Sequence, residues 1–138
     1  MKTFQNYIEL LDVKLYFYIF TSAELAQYKA EAIQNHNPKT EWDSENAALT
    51  LQSIEDPAEF HIMFLREDLC PPSYLIAHEA FHATNFIMDY LETPLCEETR
   101  EMWALTVEYI SRFLSEQLNK EELEDNENEI KPKKIPGN

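Results

Sequence analysis

The feature that most constrains this fold is an apolar stretch that runs from Pro72 to Leu91. A proline at the start suits the first turn of a helix, where its missing N–H is not needed. The side chains that follow are apolar around most of the helix axis. A helix that is apolar on every side is usually buried. We therefore predict a central buried helix, which the rest of the chain must cover.

The flanking segments predict an α+β domain around this helix. β-branched and aromatic residues favour strands, and Ala, Glu and Gln favour helices. The pattern predicts helix or coil over residues 1–14, with Thr21 and Ser22 as a cap for the first defined helix. It predicts strands over residues 15–20, 45–53 and 59–65, and helices over residues 23–35, 72–91 and about 97–118. This order favours a small antiparallel or mixed sheet packed on helices, with a single domain over residues 1–118.

Charge and composition exclude several function classes. The 138 residues carry a formal net charge of −15, which repels nucleic acid and anionic membranes and favours cations and basic partners. The one glycine, Gly137, leaves no glycine-rich loop for phosphate binding. An acidic run from Glu121 to Glu129 predicts a disordered tail over residues 119–138.

Two further patterns concern the compartment. No secretory signal is evident, and the apolar run over residues 15–20 is too short to span a bilayer, so we expect a cytoplasmic protein. Cys70 and Cys96 lie at opposite ends of the predicted central helix, about 30 Å long. That separation predicts reduced thiols and no disulfide between them.

The chemistry is concentrated in the segment His78-Glu79-Ala80-Phe81-His82. Histidines four residues apart lie on the same face of a helix, so their rings can converge on one tetrahedral metal. Glu79 is close enough to reach a metal-bound water without being a ligand. This is the HExxH arrangement of zinc peptidases, in which zinc lowers the pKa of water to about 7 and the glutamate accepts a proton.

A catalytic zinc needs a third protein ligand and one open position. Acidic candidates follow the motif at Asp89, Glu92, Glu97, Glu98 and Glu101. The first two continue the same helix and point too far along its axis. If the last helix returns antiparallel, a residue some way into it reaches back towards the zinc, which favours Glu101 over Glu97. Glu98 is the reserve ligand, with a first-turn helix-dipole role as its alternative.

These residues resemble the zincin superfamily, in particular the gluzincins, and also small phage and bacterial HExxH proteins. In gluzincins the third ligand is a glutamate on the following helix, about twenty residues after the second histidine. Glu101 lies nineteen positions after His82 and begins the segment Glu101-Met102-Trp103-Ala104-Leu105. The resemblance covers about residues 60–112. It implies one Zn²⁺ per chain, Glu79 as general base and metallopeptidase activity.

The resemblance also implies where a substrate binds. Minimal zincins have an edge strand before the motif helix that pairs with a peptide or protein substrate, and residues 59–65 are in this position. Tyr74 and Tyr109 are candidates to stabilise an oxyanion, with core packing as the alternative role. His61 is interpreted as an ordinary strand residue.

Three function hypotheses remain open from the sequence. The first is a zinc-dependent hydrolase that acts on peptides through the ligands named above. The second is a non-catalytic metal-binding or interaction module whose site is closed by Glu98 or Asp89 as a fourth ligand. The third is a metal-free α+β interaction protein with an acidic tail. Iron or manganese are alternatives to zinc.

Overall fold

The computed structural model describes residues 2–34, 48–65 and 73–130. It confirms the predicted α+β class. The strands and helices are, in chain order, β1 (Lys2–Ile8), β2 (Val13–Phe20), α1 (Ala23–Ile33), β3 (Ala48–Gln52), β4 (Glu59–Leu65), α2 (Ser73–Tyr90) and α3 (Arg100–Ile130). No helix in these described ranges is long and apolar enough to cross a membrane.

The four strands form one mixed sheet in the order β1-β2-β4-β3. β2 and β4 are parallel at the centre, and each outer strand is antiparallel to its neighbour. Parallel pairing requires a long crossover connection, and here α1 and β3 lie between the two central strands in sequence.

The prediction that residues 59–65 form a sheet edge is wrong. β4 pairs with β2 on one side and with β3 on the other, so its backbone has no free edge. Its run from Phe60 to Phe64 is buried on both faces, which is typical of a central strand. Among the described strands the edges are β1 and β3, and β3 is the edge nearer to α2.

Each face of the sheet carries its own hydrophobic cluster. Alternate residues of β2 and β4, including Phe17 and Ile62, pack against α2 and α3 on one face. Residues of the opposite parity, including Tyr18 and Met63, pack against α1 on the other. The two-residue alternation of a strand divides the side chains in this way. The result is three layers, with one helix below the sheet and two above it.

The N-terminal segment differs from its prediction as helix or coil. It forms β1, which joins β2 through a 3₁₀ turn over residues 9–11 and a left-handed Asp12 with φ of 52°. Phe4 and Ile8 pack against the core, whereas the residues between them are polar or more exposed. This alternation is the signal of a half-buried edge strand.

The central helix differs from its prediction in burial. α2 is not buried on all sides, because Tyr74, His78, Phe81 and His82 are exposed on its outer face. Two helices share one face of a small sheet, and a helix in such a layer keeps one side in solvent. The predicted burial of the two motif histidines is therefore wrong.

Some element ends also differ or fall outside the described residues. α3 extends to Ile130, past the predicted domain boundary at residue 118, and its Glu, Lys and Leu content favours helix. Residues 131–138 of the predicted tail lie outside the description, so the tail as a separate segment stays a prediction. Cys70, Pro72 and residues 45–47 of the predicted second strand lie outside it too, and Cys96 is a free, exposed thiol.

Candidate metal centre

The two motif histidines lie on the outer face of α2, one turn apart. Their ring centroids are 4.5 Å apart, and the ring planes are inclined by 75°. The Nε2 atom of His78 is 2.9 Å from the Nε2 atom of His82. Both rings thus direct the same nitrogen to one point in solvent. In this pair one Nε2–H donates to the other Nε2, and the tautomers of the two rings decide which nitrogen is the donor.

This pair fits half of a zinc site. Two nitrogens bound to one tetrahedral zinc at about 2.0–2.1 Å lie about 3.3 Å apart. The observed Nε2–Nε2 distance of 2.9 Å is slightly shorter than this value. A small rotation of the two side chains would bring the nitrogens to the separation that zinc requires. Two neutral imidazoles are a donor set that suits zinc, copper, iron or nickel. His78 and His82 are therefore the residues that would hold a metal.

Glu79 points to a different side of α2 from the histidines. Its side chain is buried, with a relative exposure of 4%. The Thr50 hydroxyl, on edge strand β3, donates to Glu79 Oε2 at 2.5 Å and lies 3.4 Å from the Glu79 carbonyl oxygen. Because burial of a charged group without a partner is costly, this bond fixes the carboxylate against β3. One oxygen, Oε1, remains outside this bond.

The acidic residues proposed as third ligands do not join the histidine pair. Among the described residues, no three His, Cys, Asp or Glu side chains lie close enough together to hold a metal. Glu101 is exposed in the first turn of α3. Glu98 interacts locally, since hydrogen bonds from the Cys96 thiol and from its own backbone N–H hold its pKa below the ordinary carboxyl value. A third ligand from α3 therefore stays a prediction.

The two tyrosines predicted near the reaction lie in different places. Tyr74 is exposed in the first turn of α2, four residues before His78, so it shares the outer face with the histidines. Tyr109 lies on α3, and its hydroxyl accepts a hydrogen bond from Asn6 Nδ2 of β1 at 2.6 Å. It lines an apolar groove between α3 and the end of β1. Since α2 packs over β3 and β4, Tyr109 faces away from the motif.

His61 lies on the opposite side of the sheet from the motif. Its ring is buried, stacks on Tyr16 at 4.9 Å, and places Nδ1 2.9 Å from the Tyr18 hydroxyl. Within the part of the chain that the structure describes, its Nε2 has no hydrogen-bond partner, and it lies 3.8 Å from a Glu59 carboxylate oxygen. Burial, with a smaller effect from Lys29, lowers the pKa of His61 to about 4. The ring is thus a neutral core side chain at physiological pH.

The sequence did not point to Thr50, which is the residue in contact with Glu79. It lies 29 positions before its partner, in a strand with no motif of its own. Its polar side chain within the otherwise apolar run from Ala47 to Leu51 was the available signal. A buried hydroxyl in a strand usually has a specific partner, and here that partner is the motif glutamate.

Comparisons with known proteins leave the family open. No protein-family profile, curated protein or solved structure shows a significant match to this chain.

Proposed function

We propose that this chain is a zinc-dependent hydrolase that cleaves peptide bonds. The observation that carries the proposal is the convergence of the His78 and His82 Nε2 atoms, 2.9 Å apart, on a helix that also bears Glu79. Two rings directed at one point are the part of a zinc site that a helix can supply alone. Glu101, in the first turn of the helix that packs on α2, is the proposed third ligand, and Glu98, two residues before that helix begins, is in reserve.

In this proposal Glu79 is the general base. A bound zinc supplies Lewis acidity and lowers the pKa of a water ligand to about 7. The Thr50 hydroxyl holds Glu79 Oε2, so Oε1 is the atom that accepts a proton and later returns it to the leaving amine. Thr50 is then a positioning residue. Tyr74, on the same helix face as the histidines, is the candidate group for the developing oxyanion.

The outer edge of β3 is the proposed binding position for a peptide substrate. β3 is an edge strand among the described residues, and its Thr50 contacts Glu79 directly. An extended peptide that pairs with the outer edge of β3 would therefore pass close to the general base. This replaces residues 59–65 as the proposed strand for substrate addition.

Metal content and turnover together test the proposal. We expect about one equivalent of zinc per chain in tag-free protein, and loss of that zinc in His78→Ala and His82→Ala. Glu79→Gln should keep the zinc and lose about 10²–10⁴-fold in turnover of a peptide library, because only the base is removed. Zinc-free wild-type protein, or full activity in Glu79→Gln, would overturn the assignment.

A second candidate is a non-catalytic metal-binding module. The burial of the Glu79 carboxylate against Thr50, away from the outer face of α2, is the observation that favours it. The ligand count distinguishes the two. X-ray absorption of the zinc protein should give three protein ligands and one water for the hydrolase, and four protein ligands for the module.

A further inference from the structure

A groove begins next to the histidine pair, at the end of α2. It has a volume of about 510 Å³ and lies between the last turns of α2, the loop that follows and the start of α3. Phe81, which precedes His82, and Asn85, three residues after it, both line the groove. On a helix a residue three positions on is a neighbour on the same face. The groove therefore opens within one helical turn of the proposed metal ligand.

Part of the groove lining is apolar and includes two aromatic rings. The buried Trp103 is one of the lining residues, and its indole N–H donates to the Thr93 carbonyl oxygen at 3.0 Å. Phe81 lies 6.4 Å from Trp103, centroid to centroid, and is half exposed. Pro94 and Leu95 line it as well. Such a surface accommodates an aliphatic chain along aromatic rings.

The charged groups that line the groove are both acidic. They are the carboxylates of Asp89 and Glu92, which lie three residues apart and are exposed to solvent. The full chain, with these two residues included, has a net charge of −15, which attracts cations to such a site. A ligand with an aliphatic stem and a cationic end could pack its stem on the apolar side chains and pair its charge with the two carboxylates. Lysine and arginine side chains have this form.

We propose that this groove binds a lysine or arginine side chain of a peptide next to the bond that the enzyme cleaves. The stem lies along Phe81 and Trp103, and the cation pairs with Asp89 and Glu92. The substrate class follows from the proposed function, whereas binding of the side chain requires neither zinc nor turnover. The charge of the whole chain further favours a basic peptide over a neutral or acidic one.

Equilibrium binding in a non-hydrolysing background tests this inference. The probes are fluorescein-labelled, capped peptides of sequence Ala-Ala-Ala-X-Ala-Ala, where X is lysine, norleucine or glutamate, titrated with the Glu79→Gln protein with and without zinc. Norleucine keeps the stem and lacks the charge. We expect the lysine peptide to bind about tenfold more tightly than the norleucine peptide, as one charge-assisted contact allows, and the glutamate peptide to bind more weakly than both.

Two double variants separate the groove from the general charge. Asp89→Asn with Glu92→Gln should reduce the ratio of lysine to norleucine affinity to about one. Glu55→Gln with Glu116→Gln removes the same charge from exposed positions outside the groove and should preserve the ratio. The inference would be overturned if the three peptides bound equally or if none of them bound. It would also be overturned if the two double variants had the same ratio of lysine-peptide to norleucine-peptide affinity. If the protein prefers the lysine peptide but has no peptidase activity, the proposal for the groove stands and only the proposed hydrolase function is rejected.

Discussion

At the scale of single residues, each fully buried polar side chain in the described part of the chain has at least one hydrogen-bond partner. Glu79 is held by Thr50, and His61 is bonded to Tyr18. Thr84 and Thr106 donate to the carbonyl oxygens one turn earlier in their helices. A buried polar group that loses its partner keeps its desolvation cost, so these contacts should be sensitive to substitution.

The Thr50 contact predicts a positioning effect on activity. In Thr50→Val the shape of the side chain is preserved, but the buried Glu79 carboxylate loses its donor. We expect a loss of about 1–3 kcal/mol in the free energy of unfolding and a fall in kcat with unchanged zinc content. Thr50→Ser keeps the hydroxyl donor, so its free energy of unfolding and its kcat should be close to those of the wild-type protein. A Thr50→Val protein with wild-type kcat in the peptide assay would contradict the proposed role.

His61 predicts a pH dependence of stability. Its folded pKa of about 4 lies below the ordinary value near 6.5, so the unfolded chain binds a proton more readily than the folded chain. Stability is therefore present above pH 6.5 and falls as the pH decreases from 6.5 towards 4. The titratable groups of the described residues that face the ring are Lys29, Glu59, Tyr16 and Tyr18. We expect this residue alone to remove about 2 kcal/mol between pH 7 and pH 5.

Urea unfolding of His61→Asn checks this expectation, because the amide keeps a polar group towards Tyr18 and does not titrate. The variant should lack the additional loss of about 2 kcal/mol between pH 7 and pH 5 that the wild-type protein shows. Identical pH profiles for the two proteins would show that His61 does not have a depressed pKa.

At the scale of elements, the ends of the helices follow local rules. Ser22 Oγ accepts from the Leu25 N–H at the start of α1, as its position before the helix predicted. At the end of α2, the Thr93 N–H donates to the Met88 carbonyl oxygen at 2.8 Å, and Glu92 has a left-handed φ of 55°. This is the Schellman ending, in which glycine usually occupies the left-handed position.

The left-handed Glu92 predicts a gain in stability on substitution. Glu92→Gly removes the side-chain clash of the left-handed conformation, and we expect the free energy of unfolding to rise by about 1 kcal/mol. Glu92→Ala keeps a Cβ atom and should leave stability nearly unchanged, which makes it the matched control. Thermal unfolding of both variants measures the difference. A Glu92→Gly protein no more stable than Glu92→Ala would contradict the assignment of strain.

At the scale of the whole molecule, the sheet separates two hydrophobic clusters and places the motif helix over the β3 side. α2 lies above β3 and β4, and α3 packs beside it. This placement brings a glutamate of α2 to an edge strand while the two histidines remain in solvent. The proposed metal would therefore bind at the surface of the folded domain, and its effect on the core would be indirect.

Metal linkage gives a prediction for the whole chain. A ligand that binds only the folded state stabilises it by about 2.7 kcal/mol at a concentration of 100 times its Kd. Zinc should therefore raise the thermal midpoint of the wild-type protein, and EDTA should reverse the rise. The His78→Ala/His82→Ala protein should show no zinc-dependent shift. An equal shift in the double variant would place the zinc elsewhere.

The sequence by itself determined the features that depend on neighbours within a few residues. The span of α2, the Ser22 cap and the juxtaposition of His78 with His82 all follow from helix geometry, in which residues four apart meet. The strand over residues 59–65 was also evident from its short run of mainly apolar and aromatic residues.

Only the tertiary structure decided the order of the strands, the exposure of the histidine pair and the Thr50 partner of Glu79. These depend on which strands pair and which face of a helix meets the sheet. Thr50 and Glu79 are 29 positions apart, and no local periodicity relates them. β1 was missed because only Phe4 and Ile8 mark its buried face. Long-range packing, rather than local propensity, fixes such contacts.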